Sequence, residues 1–176
     1  MMHPMPVDQG EYEALYRTHY ARLVRLCRLW LDDPHEAEDV VQEVFLKLLV
    51  ILRSPHRPAA WDPWLTRVTR NVCHDRRRSG WWKWWRTAPT ARGKVAERPP
   101  AGRTLEDEAL NRERQARIWQ AFQALPTRQR EVFALRYVEG YSTAAVAEAL
   151  GLTVGSVKRH LFRAVCRLRD TLGGYA

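Results

Sequence analysis

The segment from Ser142 to Leu172 leaves few folds open. Ser142 is placed to cap a short helix ending at Leu150, and Gly151 supplies a left-handed stop. Thr153 is placed to cap a last helix running to about Leu172. Helix, three-residue turn with glycine, helix is the helix-turn-helix arrangement. Val146, Ala147 and Val157 provide its small, tight interior. On the last helix Val157, Leu161, Ala164, Val165 and Leu168 are expected to face inward. Arg159, Arg163 and Arg167 recur at four-residue steps on another face, with Lys158 beside them. A basic second helix of this kind lies in the DNA major groove, where arginine reads guanine. The rival is a plain helical hairpin with a solvated arginine stripe. Coincidence of both caps, the glycine turn and the basic helix favours the DNA reading.

The rest of the chain is read as helical too. No alternating β pattern of useful length occurs, and Asn-Gly hairpin signals are absent. Leu15, Tyr16, Tyr20, Leu23, Leu26 and Cys27 predict a helix over roughly 11–31. Asp33-Pro34 then reads as a cap with proline in the first turn. Val40, Val41, Val44, Phe45, Leu48 and Leu49 form the next apolar stripe. Pro55 and Pro58 place a loop at 53–60, and Asp62-Pro63 starts a helix whose apolar face is Trp64, Leu65, Val68 and Val72. Residues 80–104 lose the period through repeated Pro and Gly and are expected to be a flexible linker. Thr104, with Asp107 as a weak capping-box partner, is expected to start a helix to about 124. Its stripe is Leu110, Ile118, Phe122 and then Leu125. A further helix is expected over 128–138. The fold class is therefore all-α, with two small helical domains, 8–79 and 105–173, joined by the linker.

Charge sharpens the reading. Of a formal net charge of +9, residues 111–176 carry +6, from 11 basic and 5 acidic side chains. Arg53 to Arg78 holds seven arginines against Asp62 and Asp75. His35 to Glu43 holds four acids and no Lys or Arg. One acidic and two basic patches share the chain, and basic patches favour polyanions, nucleic acid first. No apolar run approaches the roughly 20 residues that span a bilayer, and Met1 to Gly10 has no basic n-region, so no signal peptide is expected. Cys27, Cys73 and Cys166 lie far apart in sequence and read as small buried hydrophobes in a reducing cytoplasm. The six histidines form no metal-spaced pair, and no phosphate loop or nucleophile motif is present. No catalytic activity, metal, cofactor or small-molecule substrate is expected.

Four segments in order resemble a known family. Glu36 to Leu48 (EAEDVVQEVFLKL) resembles region 2.2 of bacterial sigma factors. Trp64 to Asn71 (WLTRVTRN), with Asp75 and Arg76 to Arg78 after it, resembles region 2.4. Leu125 to Gly140 (LPTRQREVFALRYVEG) resembles region 4.1, and Val146 to Lys158 (VAEALGLTVGSVK) resembles region 4.2. With no region 1.1 and no full region 3, the layout is that of the extracytoplasmic-function, or group 4, sigma factors.

The resemblance implies roles. Region 2.2 docks on the clamp helices of the RNA polymerase β′ subunit, and Asp39, Gln42, Glu43 and Leu46 match those positions. An acidic helix face suits a basic partner helix. Region 2 melts the −10 element and captures a flipped base by stacking and edge contacts. The loop Ser54 to Ala60, with His56 and Arg57, matches the specificity loop, and Asn71 matches a base-contacting position. Trp61 has stacking and packing both open to it; Trp64 lies on the apolar stripe, which favours packing. Arg67, Arg70, Arg76, Arg77 and Arg78 would hold phosphates, contributing affinity more than sequence choice. Region 4.2 reads the −35 element, with Thr153, Ser156, Lys158, Arg159, Phe162 and Arg163 on the reading side. Arg159 stands where Ser is usual, His160 where Arg is usual, and Ala145 where Glu is usual, so the −35 sequence does not carry over.

The implied partners are core RNA polymerase (β′ clamp helices and β flap), promoter DNA and an anti-sigma factor. The implied location is the cytoplasm, with a membrane-bound anti-sigma factor as a means of holding the chain at the inner membrane. The linker departs from the family in being basic, and Trp81, Trp82, Trp84 and Trp85 within it receive no role. The chief alternative is a two-domain regulator of the response-regulator type, which binds duplex DNA without serving as a polymerase subunit. It lacks support in the N-terminal half, where no β/α alternation or phospho-acceptor strand end is found. A plain nucleic-acid-binding adaptor is the other alternative.

Overall fold

Apolar residues at three- and four-residue steps dictate helices throughout, and the computed structural model has them. It describes residues 9–31, 33, 35–78 and 105–173. Their elements in chain order are α1 (Gln9–Trp30), α2 (His35–Leu52), α3 (Trp61–Arg78), α4 (Leu105–Gln123), α5 (Thr127–Phe133), α6 (Thr143–Leu150) and α7 (Val154–Leu172). Among the described residues there is no strand. The linker, its tryptophans and the Thr104–Asp107 cap lie outside the described residues.

Helices α1, α2 and α3 pack on one another as an N-terminal group. The α1–α2 turn is fixed where Asp33 Oδ1 accepts from the His35 backbone N–H at 2.9 Å. Leu23, Leu26 and Trp30 of α1 meet Val40, Val44 and Leu48 of α2 and Leu65 and Val72 of α3, all essentially buried. Phe45 closes one end under Tyr12, Tyr16 and Tyr20, with ring centroids 6.1, 4.7 and 6.3 Å away. Cys27 and Cys73 prove to be neighbours in this core, their Sγ atoms 3.9 Å apart. Both are buried, whereas Cys166 is half-buried.

The C-terminal group is α4 to α7, built around Phe122, Leu125, Val132, Leu135, Val146, Leu150, Val157 and Ala164. Arg130 ties its parts together by donating to the Gln123 and Leu125 carbonyls at 2.8 and 3.4 Å. Three expectations need correction. The helix expected over 128–138 is α-helical only to Phe133; Ala134–Val138 is a π turn. The π turn ends where Glu139 N–H reaches Ala134 O and Tyr141 N–H reaches Leu135 O, both at 3.0 Å, with Gly140 at φ 72°. Leu110 and Ile118 are exposed; among the residues of α4 whose burial is described, only Ala121 and Phe122 at its C-terminal end are buried. Val165 is also exposed, on an open apolar groove with Phe133, Tyr137, Leu168 and Leu172.

The two groups pack directly, α3 against α6 and α1 against α5. No helix among the described residues is long and apolar enough to cross a membrane.

Because Leu48 is wholly buried at the meeting of α1, α2 and α3, Leu48→Ala should cost roughly 2–5 kcal/mol. Urea denaturation followed by far-UV circular dichroism will show it as a lowered midpoint.

Candidate nucleic-acid interface

The helix-turn-helix is set by its ends. Ser142 Oγ accepts from the Ala145 N–H at 3.1 Å, and Thr153 Oγ1 from the Ser156 N–H at 3.2 Å. Gly151 turns the chain at φ 63°, a left-handed value that a side chain would strain. Val146 and Val157 are fully buried between α6 and α7. That packing aims the opposite side of α7 outward. Lys158, Arg159, Phe162 and Arg163 are exposed there, Phe162 by 70%. The Thr153 hydroxyl and the Ser156 backbone are committed to the cap, although both side chains sit at the same end. His160 faces the protein instead, its Nδ1 buried without a hydrogen-bond partner. Burial lowers its pKa, helped by Arg163, Arg128 and Arg159, while Glu131 pulls the other way.

A second outward face lies on α2. Asp39, Gln42, Glu43 and Leu46 fall at steps that bring them to one side of the helix. Asp39 and Gln42 are exposed and Leu46 is 63% exposed, with Val50 continuing the apolar part. Glu43 is half-buried and already paired, 3.2 Å from Lys47 Nζ and 3.8 Å from Arg76.

The loop at 53–60 and helix α3 hold the third set. Arg57, although exposed, is engaged within the chain: it pairs with Glu11 at 2.6 Å and donates to Leu52 O at 2.9 Å, stapling the loop to α1 and α2. The His56 N–H rests on Ser54 Oγ at 3.1 Å. Trp61 and Trp64 meet edge to face at 5.9 Å, and both pack against the core. Asn71 and Arg78 are exposed.

Arg76 pairs with Glu43 of α2, whereas Arg67, Arg70 and Arg77 turn toward the C-terminal group. Arg67 donates to Glu148 O at 2.7 Å and Arg70 to Leu150 O at 2.6 Å. Those carbonyls end α6, where the helix dipole is negative, and that of Glu148 also accepts from the Gly151 N–H at 3.3 Å. Arg77 donates to Thr127 Oγ1 at 3.0 Å. His74 Nε2 lies 2.5 Å from Glu131 Oε1, and Arg128 is 3.1 Å from the same buried carboxylate.

More polar contacts cross between the groups from α1. Arg25 pairs with Glu139 at 2.8 Å. Asp62 gathers Arg22 at 2.8 Å, His19 at 3.5 Å and the Tyr141 hydroxyl, which donates to it. Arg22 also donates to Tyr141 Oη at 3.0 Å and Thr66 Oγ1 at 3.1 Å. Sequence reading missed Arg22, His74, Glu131, Glu139 and Tyr141. The only local signal was Glu131 beside the apolar run Val132-Phe133, since partners 57 to 119 residues apart share no local pattern. No cluster of His, Cys, Asp and Glu among the described residues is arranged to hold a metal.

Comparison with known proteins places these faces in context. Residues 15–95 match the family description "Sigma-70 region 2", and residues 115–168 match "Sigma-70, region 4". The chain is 32% identical over 166 residues to the ECF RNA polymerase sigma factor SigM of Mycobacterium tuberculosis, covering 94% of this chain and 79% of SigM. It is 31% identical to the probable RNA polymerase sigma factor RfaY of Xanthomonas campestris pv. campestris, covering 87% of this chain but only 40% of RfaY. It is 28% identical to the ECF RNA polymerase sigma factor SigW of Bacillus subtilis, covering 94% of this chain and 90% of SigW. In fold it is similar to the sigma factor RpoE of Bartonella quintana, solved with the anti-sigma factor NepR (TM-score 0.70, 20% identity, 94% of this chain and 99% of that one). It is also similar to CnrH, solved with the cytosolic domain of CnrY (TM-score 0.66, 24% identity, 96% and 92%).

Burial depresses the pKa of His19 as it does that of His160, with Arg22 adding to the effect and Asp62 opposing it. Both imidazoles should therefore titrate below the ordinary value of 6.5. As pH falls through that value the unfolded chain takes up protons that the native chain refuses, so stability drops there. The drop levels off below the native pKa values. Imidazole proton chemical shifts followed by NMR across this range will give the two midpoints.

Proposed function

The chain belongs to the extracytoplasmic-function sigma factors, and on that premise we propose that it joins core RNA polymerase and directs it to its own set of promoters. The observation that carries this is the exposed basic side of α7 on a correctly capped helix-turn-helix, in one chain with the acidic and apolar side of α2. The first suits duplex DNA. The second suits a basic partner helix, with Leu46 and Val50 supplying apolar contact beside the charges. In this reading α2 binds the β′ clamp helices, and α7 reads the −35 element through Lys158, Arg159, Phe162 and Arg163. Thr153 and Ser156 form the start of that helix next to the backbone. The exposed apolar groove at Phe133, Tyr137 and Val165 offers the β flap a face to meet.

Asn71 and the arginines of α3 act on the −10 element. The exposed amide of Asn71 both donates to and accepts from the edge of a flipped base. Arg67, Arg70, Arg76, Arg77 and Arg78 hold the phosphates of the melted strand. His56 and Trp61 flank that site. Arg57 contributes by holding the specificity loop in shape rather than by touching DNA. The factor has no reaction of its own; polymerase supplies the chemistry. It acts in the cytoplasm, where an anti-sigma factor holds it inactive, and a membrane-bound one would keep it at the inner membrane.

The purified chain should co-elute with bacterial core polymerase in gel filtration. Asp39→Lys with Glu43→Lys should weaken that association at least about tenfold, since like charges then face the basic partner. Far-UV circular dichroism will verify that the fold is kept. Unchanged core affinity in the double variant would remove the α2 assignment.

A further inference from the structure

Two of the chain's three cysteines meet, although 46 positions separate them. Cys27 of α1 and Cys73 of α3 face each other inside the N-terminal group, 0% and 2% exposed, with Sγ atoms 3.9 Å apart. No role described for α1 or α3 calls for a thiol at either place, and any small apolar residue would fill it. A disulfide needs its sulfurs about 2.05 Å apart. The remaining gap is closed by turning the side chains and by a small approach of two helices that already pack together. We propose that Cys27 and Cys73 are a modification site, which hydrogen peroxide converts to a disulfide that staples α1 to α3 and hardens the N-terminal group.

The two thiols are not equivalent. Cys73 donates its S–H toward Cys27 Sγ. That contact, and then burial, push the Cys27 pKa well above the ordinary thiol value, so Cys27 waits as the thiol. Cys73 keeps the residual exposure and meets the oxidant first. Its thiolate attacks one peroxide oxygen, the O–O bond breaks, and the sulfur becomes a sulfenic acid. The hydroxide that departs takes the proton Cys73 released and leaves as water. Cys27 Sγ then attacks the Cys73 sulfur, the S–O bond breaks, and the second hydroxide takes the Cys27 proton. Two thiols and one hydrogen peroxide thus give one disulfide and two waters, with two electrons passing from sulfur to oxygen.

Burial makes this reaction slow and its product durable. Peroxide enters only when α1 and α3 part locally, so brief exposure leaves the thiols reduced. Once the bond is made, the same packing shields it from reducing thiols. The bond closes a loop spanning most of the N-terminal group, and such a long loop restricts the unfolded chain strongly. Asp39 on α2 and Lys158 on α7 stay exposed, and the bond does not touch their faces. Oxidation therefore prolongs the life of the folded chain and leaves both faces in place.

The test uses the full chain with Cys166→Ser, so that only the pair can react. Folded protein is treated with excess hydrogen peroxide, quenched with catalase, then denatured and alkylated with N-ethylmaleimide. Mass spectrometry should find neither thiol alkylated and a single chain about 2 Da lighter. Trypsin should release a species joining residues 26–28 to residues 71–76. The melting temperature should rise by at least about 5 °C and return after dithiothreitol. Adding Cys27→Ala should let Cys73 gain about 32 Da as a sulfinic acid, whereas adding Cys73→Ala should leave Cys27 unreacted. Two alkylated thiols in the treated native chain would overturn the proposal. So would a bond formed only between chains, or one that lowers the melting temperature.

Discussion

Helix α3 has to satisfy two demands, and the rest of the structure is arranged around them. One side must bury Leu65, Thr69, Val72 and Cys73 against α1 and α2. The other carries a run of arginines that must face either water or an anion. Arginine gives five donors in a fixed fork and keeps its charge, so its natural partners are carboxylates, carbonyl clusters and phosphates. In this chain α6 and α5 supply partners to Arg67, Arg70 and Arg77, and α2 supplies Glu43 to Arg76. The carbonyls of Glu148 and Leu150 accept from Arg67 and Arg70, and the buried carboxylate of Glu131 meets His74, also of α3. The same chemistry thus holds the two groups together.

The helix-turn-helix boundaries were legible because their determinants are local. Ser142, Gly151 and Thr153 act within three residues of themselves, and the structure has each bond they imply. The α2 face was named through the family resemblance, and helical period then puts Asp39, Gln42, Glu43 and Leu46 on one side. The π turn was not legible. Its extra residue per turn leaves the apolar spacing of Val132, Leu135 and Val138 nearly unchanged, so a continuous helix fits the pattern equally well. Val165, Leu110 and Ile118 sit on helical stripes, yet no partner covers them; period tells which side a residue takes, not whether that side is occupied.

Contacts between the two groups were beyond sequence reading for a different reason. Arg70 and Leu150 are 80 positions apart, and Arg22 and Tyr141 are 119 apart. Nothing in either neighbourhood announces the other. Arg57 shows the same limit on a small scale: its loop was expected to contact DNA, but its guanidinium pairs at the surface with Glu11, 46 residues away. The fate of a charged side chain depends on the nearest opposite charge in space.

The central claim is that this chain confers promoter choice on core RNA polymerase. Run-off transcription with bacterial core polymerase on a genomic fragment library, with and without the purified chain, tests it directly. The account predicts new transcripts that start downstream of one shared pair of −35 and −10 elements. Absence of new transcripts, with duplex binding by α7 retained, would contradict it and leave a regulator that binds DNA without joining polymerase.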